Sequence, residues 1–320
     1  MNKLMKILCC IITYNPDIER LKQNINAISN AVHDFVLIDN NSENKHEIED
    51  LAALYYQNIN VNIIKNDKNM GIGTALNQGV QYAVDSEASW ILTMDQDSVF
   101  FGDSVKELIN YPKDEKTGIV FPAFDDRNAQ MAFQHYNRIE KFFKRCIFSI
   151  RNWWRYSMGE KMPMTSGCLL NVNAAVKAGG FDESLFIGAV DWDMNLKLMK
   201  NGYRIIKCSS AKLLQEFGKP EIKKYAGWSV IVPGYSLWRN YYMVRNDILM
   251  VRKYFTVYPS WLVLDMFRLI YSCIRILMIG PNRAAIAKFM LYGLRDSITG
   301  KRRPHEDVLK IQNNERNLKR

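Results

Sequence analysis

The sequence predicts an α/β fold, a mostly parallel sheet with helices on both faces, followed by a helical C-terminal end. Three observations predict it. Short continuous apolar runs alternate with helical stripes four times within about a hundred residues, the pattern of strands buried on both faces. Each of these runs stops abruptly at a polar cluster. The last quarter of the chain then changes character and becomes both apolar and basic.

Lys6-Ile-Leu-Cys-Cys-Ile-Ile12 closes on a turn at Pro16 and reads as a central parallel strand. Ile18, Leu21, Ile25 and Ile28 fall at helical spacing over 17–33. Phe35–Asp39 is a second strand, 45–57 a second helix and Val61–Ile64 a third strand. Residues 71–84 carry Ala75, Leu76, Val80 and Ala83 on a helical face, and Trp90–Met94 is a fourth strand. In the less regular middle, Ile119–Pro122 and Met164–Val172 read as strands. The aromatic and basic residues of 141–156 fit neither pattern. Asp191–Asn201 is helical, and Gly202 is placed to cap it.

A chain of 320 residues with 48% hydrophobic and 24% charged side chains is too apolar for a disordered protein and too long for a disulfide-stapled scaffold. The six cysteines show no CxxC and no zinc-ligand spacing, which suits buried free thiols in a reducing compartment. The apolar start is short and ends at Thr13-Tyr14-Asn15-Pro16 without a small-residue cleavage site, so a strand is expected there rather than a secretory signal, and a cytoplasmic location with it.

The net charge of +10 is unevenly placed. Residues 1–238 hold 27 basic and 27 acidic side chains, whereas residues 239–320 hold 16 and 6. Such a basic end suits an anionic partner. Within it, 261–279 is strongly apolar but carries Asp265, Arg268, Ser272 and Arg275 on one helical stripe. These charges disfavour a membrane span. A helix lying on an anionic membrane surface with its apolar face down is expected, flanked by Arg252, Lys253, Arg283, Lys288 and Lys301–Arg303. A helix packed on the main domain with a solvated basic edge is the alternative.

The strand ends carry the chemistry. In a doubly wound sheet ligands bind beyond the carboxyl ends of the strands, where this chain places Thr13-Tyr14-Asn15, Asp39-Asn40-Asn41, Asn66-Asp67 and Asp95-Gln96-Asp97. Two carboxylates flanking one residue after a buried strand call for compensation, which Mg²⁺ bridging to a diphosphate supplies. Asp39 could accept from a ribose or base, or close an Asx-turn. Asn69–Gly79 opens a helix with close glycines but has neither the third glycine of the dinucleotide fingerprint nor the Lys-Ser/Thr of a P-loop. Asp191-Trp192-Asp193 either caps a helix or supplies a general base.

In order, these segments resemble the family 2 glycosyltransferases, and within them the bacterial rhamnosyltransferase-like group. The matching pieces are Thr13–Pro16, Val36–Ser42, Asn69–Gly79, Met94–Ser98, Ser166-Gly167, Gly179–Glu183, Val190–Asp193 and Tyr241–Asn246. The resemblance implies a GT-A fold, a nucleotide-sugar donor, Mg²⁺ or Mn²⁺, and inversion at the anomeric carbon. By position it implies that Thr13, Tyr14, Asn15, Asp39, Asn69, Gly71, Asp95 and Gln96 bind the donor. Asp97 would bind the metal and Asp191 would act as base, with Gly167, Asp182, Trp192, Asp193 and Arg245 around the acceptor. Gln215 stands where the family often has a metal-binding His. The domains implied are a transferase domain over 1–235, with donor and acceptor halves meeting at 118/119, and a basic helical region over 236–320.

The resemblance further implies transfer of L-rhamnose from dTDP-β-L-rhamnose to a lipid-linked oligosaccharide, at the inner face of the cell membrane and without nucleic acid. Another hexosyl donor, such as a galactofuranosyl or glucosyl nucleotide, is the alternative within the class. A glycoside hydrolase and a basic membrane-surface scaffold are the readings outside it.

Overall fold

Residues Ile7–Thr13 form strand β1 because four successive apolar side chains, Leu8 to Ile11, are wholly enclosed. The computed structural model describes residues 5–126, 162–215, 220–225, 228–233, 235–279 and 282–317. The segment 141–156, Cys146 and Glu216–Gly218 lie outside them. The described residues fall into two compact units. One comprises 5–126, 162–183 and 190–215, the other 184–189 and the residues from 220 onward. The expected division at 235/236 thus differs from the observed one by the hairpin that precedes it and by the short segment 184–189.

In the first unit β1 is followed by α1 (Ile18–Ser29), β2 (Asp34–Asp39), α2 (Lys45–Ala53), β3 (Asn60–Lys65), α3 (Ile72–Asp85) and β4 (Trp90–Asp95). Asp17 caps α1 by accepting from the Arg20 amide. Next come β5 (Val99–Phe100), α4 (Ser104–Asn110), β6 (Thr117–Asp126), β7 (Cys168–Asn171), α5 (Val172–Lys177), α6 (Val190–Lys200) and β8 (Arg204–Gln215). One sheet has the order β3-β2-β1-β4-β7-β6-β8-β5. The four strands read from the sequence pair in parallel, while β7 runs antiparallel to both β4 and β6. The sheet is therefore parallel on one side and mixed on the other.

Two glycines of the 69–79 segment serve packing. A Cβ on Gly79 would strike the Cys10 Sγ, so α3 lies directly on β1. One on Gly73 would meet the Asp182 carbonyl oxygen at 3.0 Å. Of the glycines in that segment, Gly71, at φ 85°, is the one that needs the left-handed region.

The second unit contains the hairpin β9 (Pro220–Tyr225) and β10 (Trp228–Pro233), then α7 (Leu237–Tyr254), α8 (Pro259–Ile279), α9 (Arg283–Thr299) and α10 (His305–Asn317). Gly293 lets α9 approach the Tyr241 carbonyl of α7, where a Cβ has no room. Tyr241 Oη donates to Asp296 at 2.9 Å, and Arg303 closes on the same carboxylate.

The polar stripe of α8 faces α7. Asp265 and Ser272 are buried, and Arg268 pairs with Asp265 and with Asp247 of α7, each at 2.6 Å. The pair between Asp247 and Arg268 turns this face of α8 toward α7, which leaves the apolar residues of the opposite face outward.

Candidate active site

Strand register brings the polar ends together. Thr13 lies opposite Asp39, Ile12 opposite Asp95, and Asp39 opposite Lys65. The chain winds outward from β1 through β2 and β3, then returns to the other side of β1 with β4. That reversal is the switch point, the place where doubly wound sheets bind their ligands. Gln96 spans it: its Oε1 accepts from the Tyr14 amide at 2.7 Å and its Nε2 donates to the Tyr14 carbonyl at 3.3 Å. Tyr14 itself is about half exposed, at 48%.

Asp39 is buried and forms the Asx-turn. One oxygen accepts from the Thr13 hydroxyl at 3.1 Å and from Ser42 Oγ, and the other accepts from the Ser42 amide at 3.2 Å. Asn15 sits at φ 49° and braces the same turn, its Oδ1 accepting from the Glu43 amide at 2.7 Å. Asn69 Oδ1 accepts from the Gly71 amide at 3.0 Å and from Asn40 Nδ2 at 3.2 Å. Asn40 ties this loop to β2, since its Oδ1 also accepts from the Met70 amide. Its structural role was not separable in sequence from that of its neighbours Asp39 and Asn41.

Beyond β4 the carboxylates converge electrostatically. Burial pushes the Asp95 carboxyl up to about 7, with the nearby charges of Asp97 and Asp191 adding to the shift. Asp191 is likewise raised by burial, opposed by hydrogen bonds from its own amide and from the Thr165 hydroxyl. Both acids raise the buried Cys168 thiol, whose own burial is the larger cause. Ser166 Oγ accepts from the Asp95 amide at 3.0 Å and donates to Ser98 Oγ, fixing the strand end. Gln215, at the end of β8, donates from Nε2 to Asp95 Oδ2 at 3.1 Å. Its buried Oε1 accepts no hydrogen bond among the described residues.

α6 begins at Val190, so Asp191 and Asp193 lie inside its first turn rather than at the cap. Asp191 lines a small apolar pocket with Thr93, Thr165, Cys168, Phe181 and Met194. Asp193 is wholly buried and pairs with Lys197 at 2.8 Å, while Lys197 also donates to the Gly180 carbonyl. Trp192 is half-buried beside them. Gly167 donates its amide to Thr93 at 2.7 Å and, at φ 76°, leaves no space for a side chain against Leu213. Asp182 belongs to a segment held by Asn77, whose Nδ2 donates to the Phe181 carbonyl at 3.0 Å and whose Oδ1 accepts the Phe181 amide at 2.8 Å.

Arg245 is a buried residue of α7. It is 1% exposed in the second unit, stacked over the Tyr242 ring at 4.8 Å, and donates to Asn246 and to the Ser184 carbonyl. Asn246 holds the carbonyls of Leu185, Ile187 and Gly188. The pair organises the segment that leads into α6.

The donor set is hard oxygen. Among the described residues no three His, Cys, Asp or Glu side chains form a metal cage by themselves. The carboxylates of Asp95 and Asp97, the second of which raises the proton affinity of the first, together with the unused Gln215 Oε1, fit Mg²⁺ or Mn²⁺ whose remaining positions would be filled by substrate phosphates or water.

Residues 9–173 match the family model described as glycosyl transferase family 2. The dTDP-rhamnosyl transferase RfbF of Shigella flexneri is 28% identical over 254 residues, which is 77% of this chain and 80% of that protein. Among solved structures, a mannosyltransferase of Pyrobaculum calidifontis in complex with GDP-Man and Mn²⁺ superposes with a TM-score of 0.55 at 13% identity, covering 92% of this chain and 88% of the other. GalNAc-T7 with UDP, GalNAc and Mn²⁺ gives 0.56 at 15% identity over 91% of this chain, which spans only 54% of that longer protein. The two structures share the fold. With over half of its length matched by the family model, the chain is a member of glycosyl transferase family 2.

Proposed function

We propose that the protein is an inverting, metal-dependent glycosyltransferase that moves L-rhamnose from dTDP-β-L-rhamnose to a hydroxyl of a lipid-linked oligosaccharide. The observation that carries this reading is the electrostatic cluster of Asp95, Asp97 and Asp191 beyond the end of β4. Similarity to a dTDP-rhamnosyl transferase over 77% of the chain supports the choice of donor.

Thr13 and Asp39 shape the floor under the nucleoside, and Tyr14, bridged by Gln96, borders it. Asp97 and Asp95, with Gln215 Oε1, would hold the divalent cation. When bound, that ion offsets negative charge on the departing diphosphate. Asp191 takes the proton from the acceptor hydroxyl as its oxygen bonds to the anomeric carbon on the face opposite the diphosphate. The apolar walls around Asp191 raise its basicity, and the Thr165 hydroxyl orients its carboxylate. Asp193 and Lys197 anchor the first turn of α6 and act as positioning residues.

The test is a panel of nucleotide sugars incubated with the purified protein and Mn²⁺ or Mg²⁺, with release of nucleoside diphosphate as readout. Turnover with dTDP-rhamnose well above that with UDP- and GDP-hexoses is the expected result. Preference for another donor would keep the reaction class and discard rhamnose.

A further inference from the structure

We infer that the outer face of α8 docks the protein onto an anionic lipid bilayer by inserting its apolar side chains among the headgroups. The observation is an inverted amphipathic helix. Asp265, Arg268 and Ser272 turn toward α7, whereas Val263, Phe267, Ile270, Tyr271, Ile274 and Met278 share the opposite stripe at 47%, 68%, 50%, 60%, 53% and 42% exposure. Phe255 and Val257, just before the helix, are exposed at 53% and 43%. A row of large apolar side chains this long marks a docking surface rather than ordinary scatter.

Charge decides the occupant. From 255 to 288 the sequence has one carboxylate, Asp265, and that one is buried against Arg268. Arg275 lies over the Tyr271 ring at 5.4 Å, and Arg283 and Lys288 follow on exposed positions of α9. A second copy of the chain would bring the same basic region against itself, with like charges opposed. An anionic bilayer complements the cations, and its interfacial zone accepts the phenyl and phenol rings. No helix among the described residues is long and apolar enough to cross a membrane. The 21 residues of α8 therefore suit a helix lying along the surface.

The inference does not depend on which sugar is transferred, and the test uses no donor. Full-length protein is floated with vesicles of phosphatidylcholine alone or with phosphatidylglycerol, at low and high salt. Capture by the anionic vesicles at low salt is expected. The double variant Phe267→Glu/Ile274→Glu should lower the bound fraction about tenfold or more, with an unchanged thermal melt, since both side chains are exposed. Arg283→Glu/Lys288→Glu should weaken capture and remove its salt dependence. Equal capture of the Phe267/Ile274 variant, or no capture of the wild type, overturns the proposal. So does light scattering that shows a stable dimer which Phe267→Glu dissociates, because the occupant would then be a second copy.

Discussion

At the scale of single residues, environment divides the acids into different tasks. Asp191 lines a small apolar pocket, and its burial raises its proton affinity. Asp191→Asn keeps the shape but cannot take a proton, so turnover should fall by about 10²–10⁴-fold with nucleotide binding retained, as compared by steady-state rates and calorimetric titration. Asp95 makes a different prediction because its folded-state value, about 7, lies above the ordinary 3.8. The folded chain holds this proton longer than the unfolded one, so metal-free wild-type protein loses stability as pH rises from about 4 to about 7. Asp95→Asn removes that cost. In EDTA its melting temperature should exceed the wild type's above pH 7, with the advantage vanishing toward pH 4, while donor binding is lost. An advantage that grows on acidification would place the carboxylate in a stabilising ion pair instead.

At the scale of elements, legibility followed the kind of burial. β1, β2 and β4 are covered on both faces, so their apolar runs are continuous and could be read directly. β8 mixes buried Ile205, Cys208 and Ala211 with outward charged and polar residues, and its main partner β6 lies far away in sequence, so local periodicity gave no warning of it. In α8 the spacing showed that Asp265, Arg268 and Ser272 share a face. Its direction was set by Asp247, a residue on another helix that no periodicity reveals. The glycines of α3 were visible, but their purpose was not: Gly79 lets the helix lie against Cys10. Ala at 79 would gain about 1 kcal/mol of helix propensity, yet its Cβ collides with a fully buried thiol on a central strand. Overpacking of this kind costs about 1–3 kcal/mol, so Gly79→Ala should be net destabilising in urea melts. Adding Cys10→Ala should return much of the loss, and simple additivity of the two changes would deny the contact.

At the scale of the whole molecule, the metal and the nucleotide are expected to act as one ligand. Asp97 raises the proton affinity of Asp95, so the ligand-free crevice stores electrostatic repulsion. A divalent cation relieves that repulsion but finds no cage of three acidic, His or Cys side chains among the described residues, and a nucleoside diphosphate supplies further oxygens. Neither should therefore stabilise the fold strongly by itself. At about a hundred times the dissociation constant, the pair should add about 2.7 kcal/mol, a rise of several degrees in melting temperature. EDTA should abolish the rise given by dTDP with Mn²⁺, and Asp97→Ala should abolish it with metal present. A full shift with dTDP and EDTA would mean that the nucleotide is held through Thr13, Tyr14 and the β2 turn alone, and that the carboxylate pair does not bridge to phosphate.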